Sequence, residues 1–562
     1  MNNLSNIKVS ILTLAILSYL TACQGTQQTQ PIDSLPPLSE TTSWNLPHQP
    51  KINAMRETID TVLQANELEF DIGYPVQGFK PDPIYPRLFI RDTSTLMTGV
   101  SYLYPMERLK WGVEGFLRQQ YTETTVSDQD GWGAGLGAIS ATIAPDGTID
   151  KATVVSDEET HLIHAAHVVY NVHGGPYWLL TEINDAPIID RLNQAGQWLL
   201  THRQDEATGL IKRDHTTDWG DVRFQATGGN PTDINPDDVV WTASIYDQAL
   251  AYRAWRALAI MNRAVDNEVL AQTWLVEAKA LRQAVDTHLW QPERGFYRTH
   301  KHLTPFEHDF DEGEIVSIAN AVAIQSGLTD PAQTATIIAN LQRIQQEAET
   351  AKAGLVLYPP YPQDAFGMHD VRPSTYQNGG IWDWWAGWQL MAEFKTGHSQ
   401  LAQNHLIQTA EDWATHPNQI FEWQTLDMLG RKGDQYAGAA GIFTEVIVEG
   451  LYGVHLSRFD PSLSPRLGAW PGTIMANQKP SGLYLRYMYQ PSAQNIELRY
   501  DTNIAPENFP LELLLPPNFE PSQLLLDGSP HDWVLTTLGD DTYLTATIPS
   551  GEHRLLVRSS EP

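Results

Sequence analysis

Residues 241–259, WTASIYDQALAYRAWRALA, carry the pattern that most strongly indicates the fold class. Apolar side chains recur there at every third or fourth position, at Trp241, Ile245, Ala249, Tyr252, Trp255 and Ala259. This spacing places them on one face of an α-helix. The same period recurs near 52–66, 92–104, 107–120, 158–172, 187–202, 268–288, 313–326, 331–347, 381–396, 399–415 and 437–453. The chain is therefore predicted to be mainly helical. A dozen such helices, paired as hairpins, would form an (α/α)6 toroid whose long Gly-, Pro- and Trp-rich loops carry the function.

The pattern changes after about residue 460. The stretches LYLRYMY (483–489), IELRY (496–500) and RLLV (554–557) alternate or run apolar, with turn-forming residues between them. Such runs are typical of β-strands. We therefore expect a helical domain over 49–460 and a small antiparallel β-sandwich over 461–562.

The N-terminus has the features of an exported lipoprotein. Residues 10–22 form an apolar run after Lys8 that is too short to span a bilayer comfortably. The run ends in LTAC at Cys23, which resembles a bacterial lipobox. We expect a signal peptide over 1–22, a lipid on Cys23 and a flexible tether over 23–48. The protein is then extracytoplasmic, and the Gln that follows Cys23 favours the outer membrane.

Composition limits the partners. The net charge of −31 argues against nucleic acid and makes a neutral sugar easier to bind than a polyanion. The 18 tryptophans favour a sugar-binding cleft, because a flat indole matches the C–H face of a pyranose. The single Cys excludes a disulfide within the chain and a metal site built from cysteines.

Two motifs in the first half of the chain offer charged groups. In FIRDTS (89–94), Arg91 and Asp92 could form a fork for sugar hydroxyls, or could begin a helix with an ion pair. In HTTDWGDVR (215–223), Asp218 and Asp221 flank Trp219. A carboxylic acid beside an aromatic ring is desolvated, which suits it to proton donation, although a turn rich in Asp and Gly would have the same sequence pattern.

Two more motifs lie in the second half. YQNGGIWDWW (376–385) combines a flexible Asn-Gly-Gly turn at Asn378 with Trp382 and Trp384 at a helix start. In FEW (421–423), Glu422 lies between aromatics, next to Trp423, and precedes a Gly-rich turn. A Glu in that position could activate water as a general base, or could be a residue at the rim of a helix end.

In their order along residues 50–460, these motifs resemble the six-hairpin glycosidases. This group includes glucoamylase, trehalase, the glucosidase I and mannosylglycerate hydrolase group, and the related disaccharide phosphorylases. FIRDT is similar to the Trp-x-Arg-Asp-Ser stretch of glucoamylases, with Phe89 in place of Trp. DWGD (218–221) is similar to the Asp-Trp-Asn-Asp loop of the phosphorylases, with Gly220 in place of Asn. Residues 376–382 resemble the Asn-Gly-Gly-x-Trp segment, and Glu422 with its Gly-rich turn resembles the catalytic-base region of glucoamylases.

The resemblance implies an inverting glycoside hydrolase acting on a neutral glycoside or oligosaccharide, with a glucoside favoured. Asp221 would be the general acid, with Asp218 as the alternative, and Glu422 the general base. An inverting pair needs a gap of roughly 6.5–9.5 Å for the attacking water. The substrate would be held by Arg91, Asp92, Trp219, Asn378, Trp382, Trp384 and Trp423. No metal or organic cofactor is expected.

Three other activities are compatible with this fold. A phosphorylase would need a basic phosphate pocket where Glu422 stands, and a polysaccharide lyase would need basic groups beside a uronate. A surface lipoprotein that binds glycans without turnover is the non-enzymatic alternative.

Other titratable clusters have simpler interpretations. Asp157, Glu158 and Glu159 are expected to neutralise the positive end of a helix. The acidic run Asp309, Asp311, Glu312 and Glu314 is expected to be a solvated helix start rather than a cation site. His161, His164 and His167 are expected to be packing or rim residues.

Overall fold

The computed structural model describes residues 34–122, 135–151, 155–220, 222–224, 239–363, 365–366, 371–504 and 506–560. The predicted signal peptide, the lipid attachment site Cys23, residues 23–33 of the predicted tether and the predicted acid Asp221 lie outside the described residues. Residues 35–562 cluster as one compact unit.

Twelve α-helices lie within the described residues. They are Pro50–Asn66 (α1), Ile90–Ser101 (α2), Met106–Arg118 (α3), Glu158–His173 (α4), Ile188–His202 (α5), Ile245–Ala264 (α6), Glu268–His288 (α7), Ala319–Gln325 (α8), Pro331–Glu347 (α9), Asp383–Lys395 (α10), Ser399–Thr415 (α11) and Ala437–Glu445 (α12). A π-helical turn, Val446–Leu451, continues α12. The predicted number of about a dozen helices is confirmed. Within the described residues, no helix combines the length and the apolar character needed to cross a membrane.

Hydrophobic periodicity placed the starts of two helices too early in the chain. Trp241–Ser244 is a strand, and α6 begins only at Ile245, where the Ser244 side chain accepts a hydrogen bond from the backbone N–H of Asp247. The predicted helix at 313–326 is also shorter, because Val316–Ser317 pairs as a strand with Leu357–Tyr358. In both cases the first residues of the apolar stretch pair with a distant strand instead of continuing the helix.

The even-numbered helices contact one another in a closed cycle. Helix α2 contacts α4, α4 contacts α6, α6 contacts α8, α8 contacts α10, α10 contacts α12, and α12 contacts α2. Odd-numbered helices flank this ring: α3 and α5 contact α4, α7 contacts α6, α9 contacts α8, and α11 contacts α10.

The C-terminal part forms two mainly antiparallel sheets. The larger has the strand order Ser43–Asn45, Gly472–Gln478, Leu483–Pro491, Asn495–Thr502, His553–Ser559, Pro521–Leu526 and Ser529–Pro530. The smaller has the order Val454–His455, Ser462–Leu463, Asn508–Leu514, Asp541–Pro549 and Val534–Leu538. Only Ser462–Leu463 and Asn508–Leu514 pair in parallel. The sheets agree with the predicted β domain, but one strand begins at Val454, before the predicted boundary.

Short strands in the helical part shape the loops between helices. They are Glu67–Asp71, Pro75–Phe79, Leu88–Phe89, Thr142–Ile143, Ile149–Asp150, Glu182–Ile183, Ala186–Pro187, Arg213–Asp214, Trp241–Ser244, Trp290–Gln291, Phe296–Tyr297, His300–His302, Val316–Ser317, Leu357–Tyr358, Trp423–Gln424 and Arg431–Lys432. Several of them carry residues of the candidate site.

The last part of the predicted tether belongs to the fold, which corrects the range 23–48. Ser43–Asn45 adds an edge strand to the larger sheet, and the indole of Trp44 is buried. The Thr42 hydroxyl lies 2.9 Å from the carbonyl oxygen of Tyr102 and 3.0 Å from that of Asn477. The Thr, Ser and Pro content that indicates a linker is also compatible with an edge strand.

Helices α2 and α12 close the ring by direct backbone contact. A Cβ atom on Gly99 would lie 1.9 Å from the carbonyl oxygen of Gly441, and one on Gly441 would lie 2.3 Å from Cβ of Leu96. Neither position can hold a side chain unless the two helices separate.

We therefore expect Gly99→Ala to lower the free energy of unfolding by about 1–3 kcal/mol, because the overpacked methyl group must push the helices apart. Chemical denaturation measures this change. The matched control is Gly115→Ala in α3, whose methyl group would have side-chain carbons as its nearest neighbours, Cγ2 of Val76 at 3.3 Å and Cδ1 of Ile143 at 3.6 Å. That variant should be neutral, or more stable by up to about 1 kcal/mol, because Ala is the better helix former. Equal effects of the two substitutions would contradict the close contact.

Candidate active site

Four indoles pack together where the 215–220 loop meets the start of α10. The Trp219 ring centroid lies 4.9 Å from that of Trp382, 5.8 Å from that of Trp384 and 5.1 Å from that of Trp385. We call these four residues the tryptophan cluster. Trp219 is only 1% exposed. The cluster brings together the second and third motifs, which are about 160 residues apart in the chain.

The fourth motif joins the same aromatic group through Tyr376. The Tyr376 ring lies 5.3 Å from that of Trp382 and 5.5 Å from that of Trp423, the residue after Glu422. The backbone N–H of Glu422 donates to the carbonyl oxygens of Lys432 (3.0 Å) and Gly433 (2.9 Å). Glu422 is therefore held at the base of the hairpin formed by Trp423–Gln424 and Arg431–Lys432.

Two tyrosines connect Glu422 with the first motif. The Tyr85 hydroxyl donates to Oε2 of Glu422 over 3.4 Å, and the Tyr436 hydroxyl donates to Oδ1 of Asp92 over 2.7 Å. Burial holds the pKa of Tyr436 well above its usual value, and the negative charges of Asp92 and Glu422 raise it further. Asp92 and Glu422 therefore act on the same phenol, and the first motif belongs to this site.

Arg91 does not form the predicted fork with Asp92. Its Nε lies 2.8 Å from Oδ2 of Asp157, and its Nη2 lies 3.2 Å from Oδ1 of the same carboxylate. Successive side chains of a helix point in directions roughly 100° apart, so the two neighbours reach different partners. Arg91 and Asp92 thus have different partners within the protein, and their binding of sugar hydroxyls stays a prediction.

Asn378 has a structural role, and its predicted contact with substrate stays a prediction. It is wholly buried. Its Oδ1 accepts from the backbone N–H of Tyr361 over 2.7 Å, and its Nδ2 donates to the carbonyl oxygens of Tyr361 and Val371, both over 3.2 Å. Three hydrogen bonds to backbone use both amide protons, so the side chain fastens two loop segments together.

Asp218 is enclosed by protein. Its Oδ1 accepts from the backbone N–H of Tyr246 over 3.4 Å, and its Oδ2 accepts a short hydrogen bond from the Ser317 hydroxyl. Its backbone has a φ of 86°, in the left-handed region that residues other than Gly rarely adopt. Burial raises the pKa of Asp218 to about 7. We call the 215–220 loop the acid loop, because the predicted acid Asp221 follows it in the chain. The Asp218 carboxyl thus ties the acid loop to the start of α6 and to the strand Val316–Ser317.

The residues before and after Asp221 are described and buried. A Cβ atom on Gly220 would lie 2.1 Å from Oε1 of Gln377, and the Arg213 guanidinium makes a short hydrogen bond to the Gly220 carbonyl. The Arg223 guanidinium makes a short ion pair with Asp214. Gly220 therefore allows the acid loop to lie directly against the Asn-Gly-Gly segment, where a larger residue would collide.

Several residues near the site were not selected from the sequence. They are Tyr85, Asp157, Tyr246, Ser317, Tyr376, Trp385 and Tyr436. Tyr376 and Trp385 stand inside the quoted motif YQNGGIWDWW, so their aromatic character was an available signal. Asp157 and Tyr246 are joined by a hydrogen bond of 3.0 Å across 89 positions of the chain. No sequence pattern near either residue indicates such a pair.

The remaining acidic clusters differ from the predictions. Lys151 forms buried ion pairs with Glu158 at 3.0 Å and with Glu159 at 2.9 Å, so these two residues lie against a basic side chain as well as at a helix start. Glu312 is only 6% exposed, and His215, His300 and His302 surround its carboxylate. The interpretation of Glu312 as part of a solvated helix start is wrong. His161 and His164 are buried, as packing residues would be.

Comparison with known proteins gives the class. Residues 107–356 match the model of the family described as "Mannosylglycerate hydrolase MGH1-like glycoside hydrolase domain". No curated protein sequence matches this chain. The resemblance to the six-hairpin glycosidase superfamily is confirmed by this match to a glycoside hydrolase domain.

Solved structures share the fold. A GH78 family rhamnosidase of Bacillus sp. GL1 aligns with a TM-score of 0.58 and 13% identity over 86% of this chain and 43% of the rhamnosidase. An α-L-rhamnosidase of Streptomyces avermitilis, complexed with L-rhamnose, aligns with a TM-score of 0.57 and 13% identity over 93% of this chain and 42% of the rhamnosidase. A GH63 mannosylglycerate hydrolase of Thermus thermophilus, in complex with glucose, aligns with a TM-score of 0.47 and 14% identity, over 69% of this chain and 99% of the hydrolase. This chain thus spans less than half the length of either rhamnosidase.

The raised pKa of Asp218 predicts a pH dependence of stability. Its carboxyl loses its proton near pH 4 when unfolded but near pH 7 when folded, so the folded state binds the extra proton in between. The contribution of Asp218 to stability must therefore fall as the pH rises from about 4 to about 7, by at most about 4 kcal/mol. Asp218→Asn removes the titration, so the difference in unfolding free energy between wild type and variant should decline over that range. The control Asp266→Asn, at an exposed site, should give a difference that is flat with pH.

Proposed function

We propose that the protein is an inverting glycoside hydrolase with Asp221 as the general acid and Glu422 as the general base. The observation that carries the proposal is the convergence of four motifs on one aromatic group. The acid loop enters this group through Trp219, and the base hairpin enters it through Trp423. We further propose that the six-helix ring is the inner barrel of an (α/α)6 toroid and that the two C-terminal sheets form a β-sandwich.

In the proposed reaction, Asp221 gives its proton to the glycosidic oxygen as the bond to the anomeric carbon breaks. A water attacks that carbon from the opposite face, and Glu422 takes the proton of the water. The Tyr85 hydroxyl and the hairpin backbone orient the Glu422 carboxylate. Asp92 accepts hydroxyl protons of the bound sugar, and Tyr436 holds its carboxylate in place. Both carboxyls exchange protons with solvent to complete the cycle.

Asp218 is proposed as a positioning residue rather than the acid. Its two carboxyl oxygens accept hydrogen bonds from the Ser317 hydroxyl and from the backbone N–H of Tyr246, so the side chain points into the protein. Asp221 lies three residues further along the same loop. Arg91 is likewise a positioning residue, because its ion pair with Asp157 connects α2 with the start of α4.

The proposed substrate is a neutral glycoside or oligosaccharide, since the net charge of −31 disfavours a polyanion. A glucoside is favoured because two of the motifs resemble those of glucoamylases. The family match over residues 107–356 supports a second class, a hexose joined to glycerate. We also propose a lipid anchor on Cys23 and an extracytoplasmic location, on the lipobox-like LTAC stretch alone.

Replacement of either proposed catalytic carboxyl should abolish most turnover. Asp221→Asn and Glu422→Gln should each reduce kcat by about 10²–10⁴ while the fold is kept, because each removes one proton transfer. A panel of glucosides, hexosyl glycerates and α-L-rhamnosides, followed by NMR of the first-formed anomer, provides the assay and the stereochemistry. The control is Glu411→Gln, an exposed residue paired with Lys51 at 3.0 Å. Near-normal rates in both variants, or retention at the anomeric carbon, would exclude the mechanism. Sugar binding without any turnover would favour a binding protein.

The position of Glu422 depends on Gly433, and this dependence can be tested with matched glycines. Gly433 has a φ of 59°, and a Cβ there would lie 2.9 Å from Cβ of Glu422 and 3.3 Å from its Oε2. Gly482 has a φ of 69° with nothing within 4 Å. Gly433→Ala should lower kcat by at least about tenfold, because displacement of the base disturbs the alignment of the water. Gly482→Ala carries similar backbone strain and should leave kcat unchanged. Equal kcat values in the two variants would show that the contact with Glu422 is unimportant.

A further inference from the structure

A second polar centre lies behind the acid loop. The Glu312 carboxylate is surrounded by imidazoles from two other segments of the chain. Nε2 of His215 lies 2.9 Å from Oε1, and Nε2 of His302 lies 2.7 Å from Oε2. Nδ1 of His300 lies 3.1 Å from Oε1, and the Tyr361 hydroxyl donates to the same oxygen over 2.7 Å.

Short strands bring these segments together. His300–His302 pairs with Trp241–Ser244, which pairs in turn with Arg213–Asp214. His300 and His302 are two positions apart and therefore point to the same face of their strand. His215 directly follows the third strand of this small sheet.

The charge of Glu312 lacks a permanent positive partner. Among the described residues, its ion-pair partners are all histidines: His215, His300, His302 and His308. A buried carboxylate with no permanently charged basic side chain beside it is costly, and a metal ion would compensate its charge.

We propose that His215, His302 and Glu312 bind one divalent transition-metal ion, for which Zn²⁺ is the best match. Two imidazole nitrogens and one carboxylate are a common ligand set for zinc. The three ligand atoms lie within 4.8 Å of one another. Tetrahedral bonds of about 2.0–2.2 Å put ligand atoms roughly 3.3–3.6 Å apart, so the widest of these separations would close by up to about 1.5 Å on binding.

The surroundings complete the site. His300 and Tyr361 donate to the Glu312 carboxylate, the role that outer residues play in orienting metal ligands. The His215 ring stacks on Phe224 at 4.8 Å and meets Phe306 edge-on at 5.2 Å, which keeps the centre apolar around its ligands. The His302 side chain is 20% exposed, which leaves a path for an ion to enter.

With a water molecule as its fourth ligand, the ion would hold the surrounding loop segments together. It would join the segment that ends in His215 to those of His302 and Glu312, and His215 begins the loop that carries Asp218 and Asp221. The role follows from the position of the ligands and does not depend on the substrate. If the proposed glycosidase activity is absent, the ion can still bind.

Metal binding is tested directly on the full-length protein. Protein freed of metal with a chelator is titrated with ZnCl₂ by calorimetry, and bound zinc is counted by mass spectrometry after desalting. We expect about one Zn²⁺ per chain with a Kd below about 1 μM, together with a rise in Tm. His302→Gln and Glu312→Gln should each bind at least about a hundredfold more weakly and lose the rise in Tm.

Control variants separate this site from adventitious binding and from unfolding. His531→Gln changes a histidine of the smaller sheet region whose ring bonds only a backbone carbonyl, and it should bind zinc as wild type does. Circular dichroism shows whether each variant is folded. Because His302 is partly exposed, its substitution should disturb the core least. The proposal is overturned if wild type binds no zinc, or if folded His302→Gln binds it as tightly as wild type.

Discussion

The burial of the Trp219 indole among Trp382, Trp384 and Trp385 is the contact on which the candidate site depends. Trp219 and Glu422 are about two hundred residues apart in the chain, so no local structure brings their segments together. Removal of one indole from water is worth on the order of 1.5–3 kcal/mol, and edge-to-face contacts add to it. The cluster fixes the acid loop to the first turn of α10, and Tyr376 extends it to the base hairpin.

Buried carboxyls beneath this aromatic group mostly lie beside basic side chains. Arg91 pairs with Asp157, Lys151 pairs with Glu158 and Glu159, and Lys352 lies 2.6 Å from both Asp383 and Asp412. Two carboxyls next to the acid loop differ. Burial raises the pKa of Asp218 to about 7, and the ion-pair partners of Glu312 among the described residues are all histidines. Both touch the segment that leads to Asp221, one as a neutral anchor and one as a negatively charged centre. The acid loop is thus held by polar groups on one side and by indoles on the other.

The helices were largely predictable because they depend on neighbours in the chain. The predicted ranges 268–288, 331–347 and 399–415 agree with the observed helices to the residue. The helix at 331–347 even carries a reciprocal cap between Asp330 and Gln333. The errors lie at Trp241–Ser244 and Val316–Ser317, which pair with strands elsewhere in the chain. Edge strand Ser43–Asn45 was missed for the same reason, because its partner is more than four hundred residues away.

For the site too, features carried by neighbouring residues were predictable and contacts between distant residues were not. The resemblance of DWGD, FEW and NGGIWDWW to known motifs was enough to indicate the superfamily, because each of these motifs is short and contiguous in the chain. Which partner each side chain meets could not be obtained in that way. Arg91 bonds a carboxylate 66 positions away, and His215 bonds Glu312 across 97 positions. Hydrogen bonds and ion pairs act over a few ångströms in space, so only the folded chain determines which groups come within that distance.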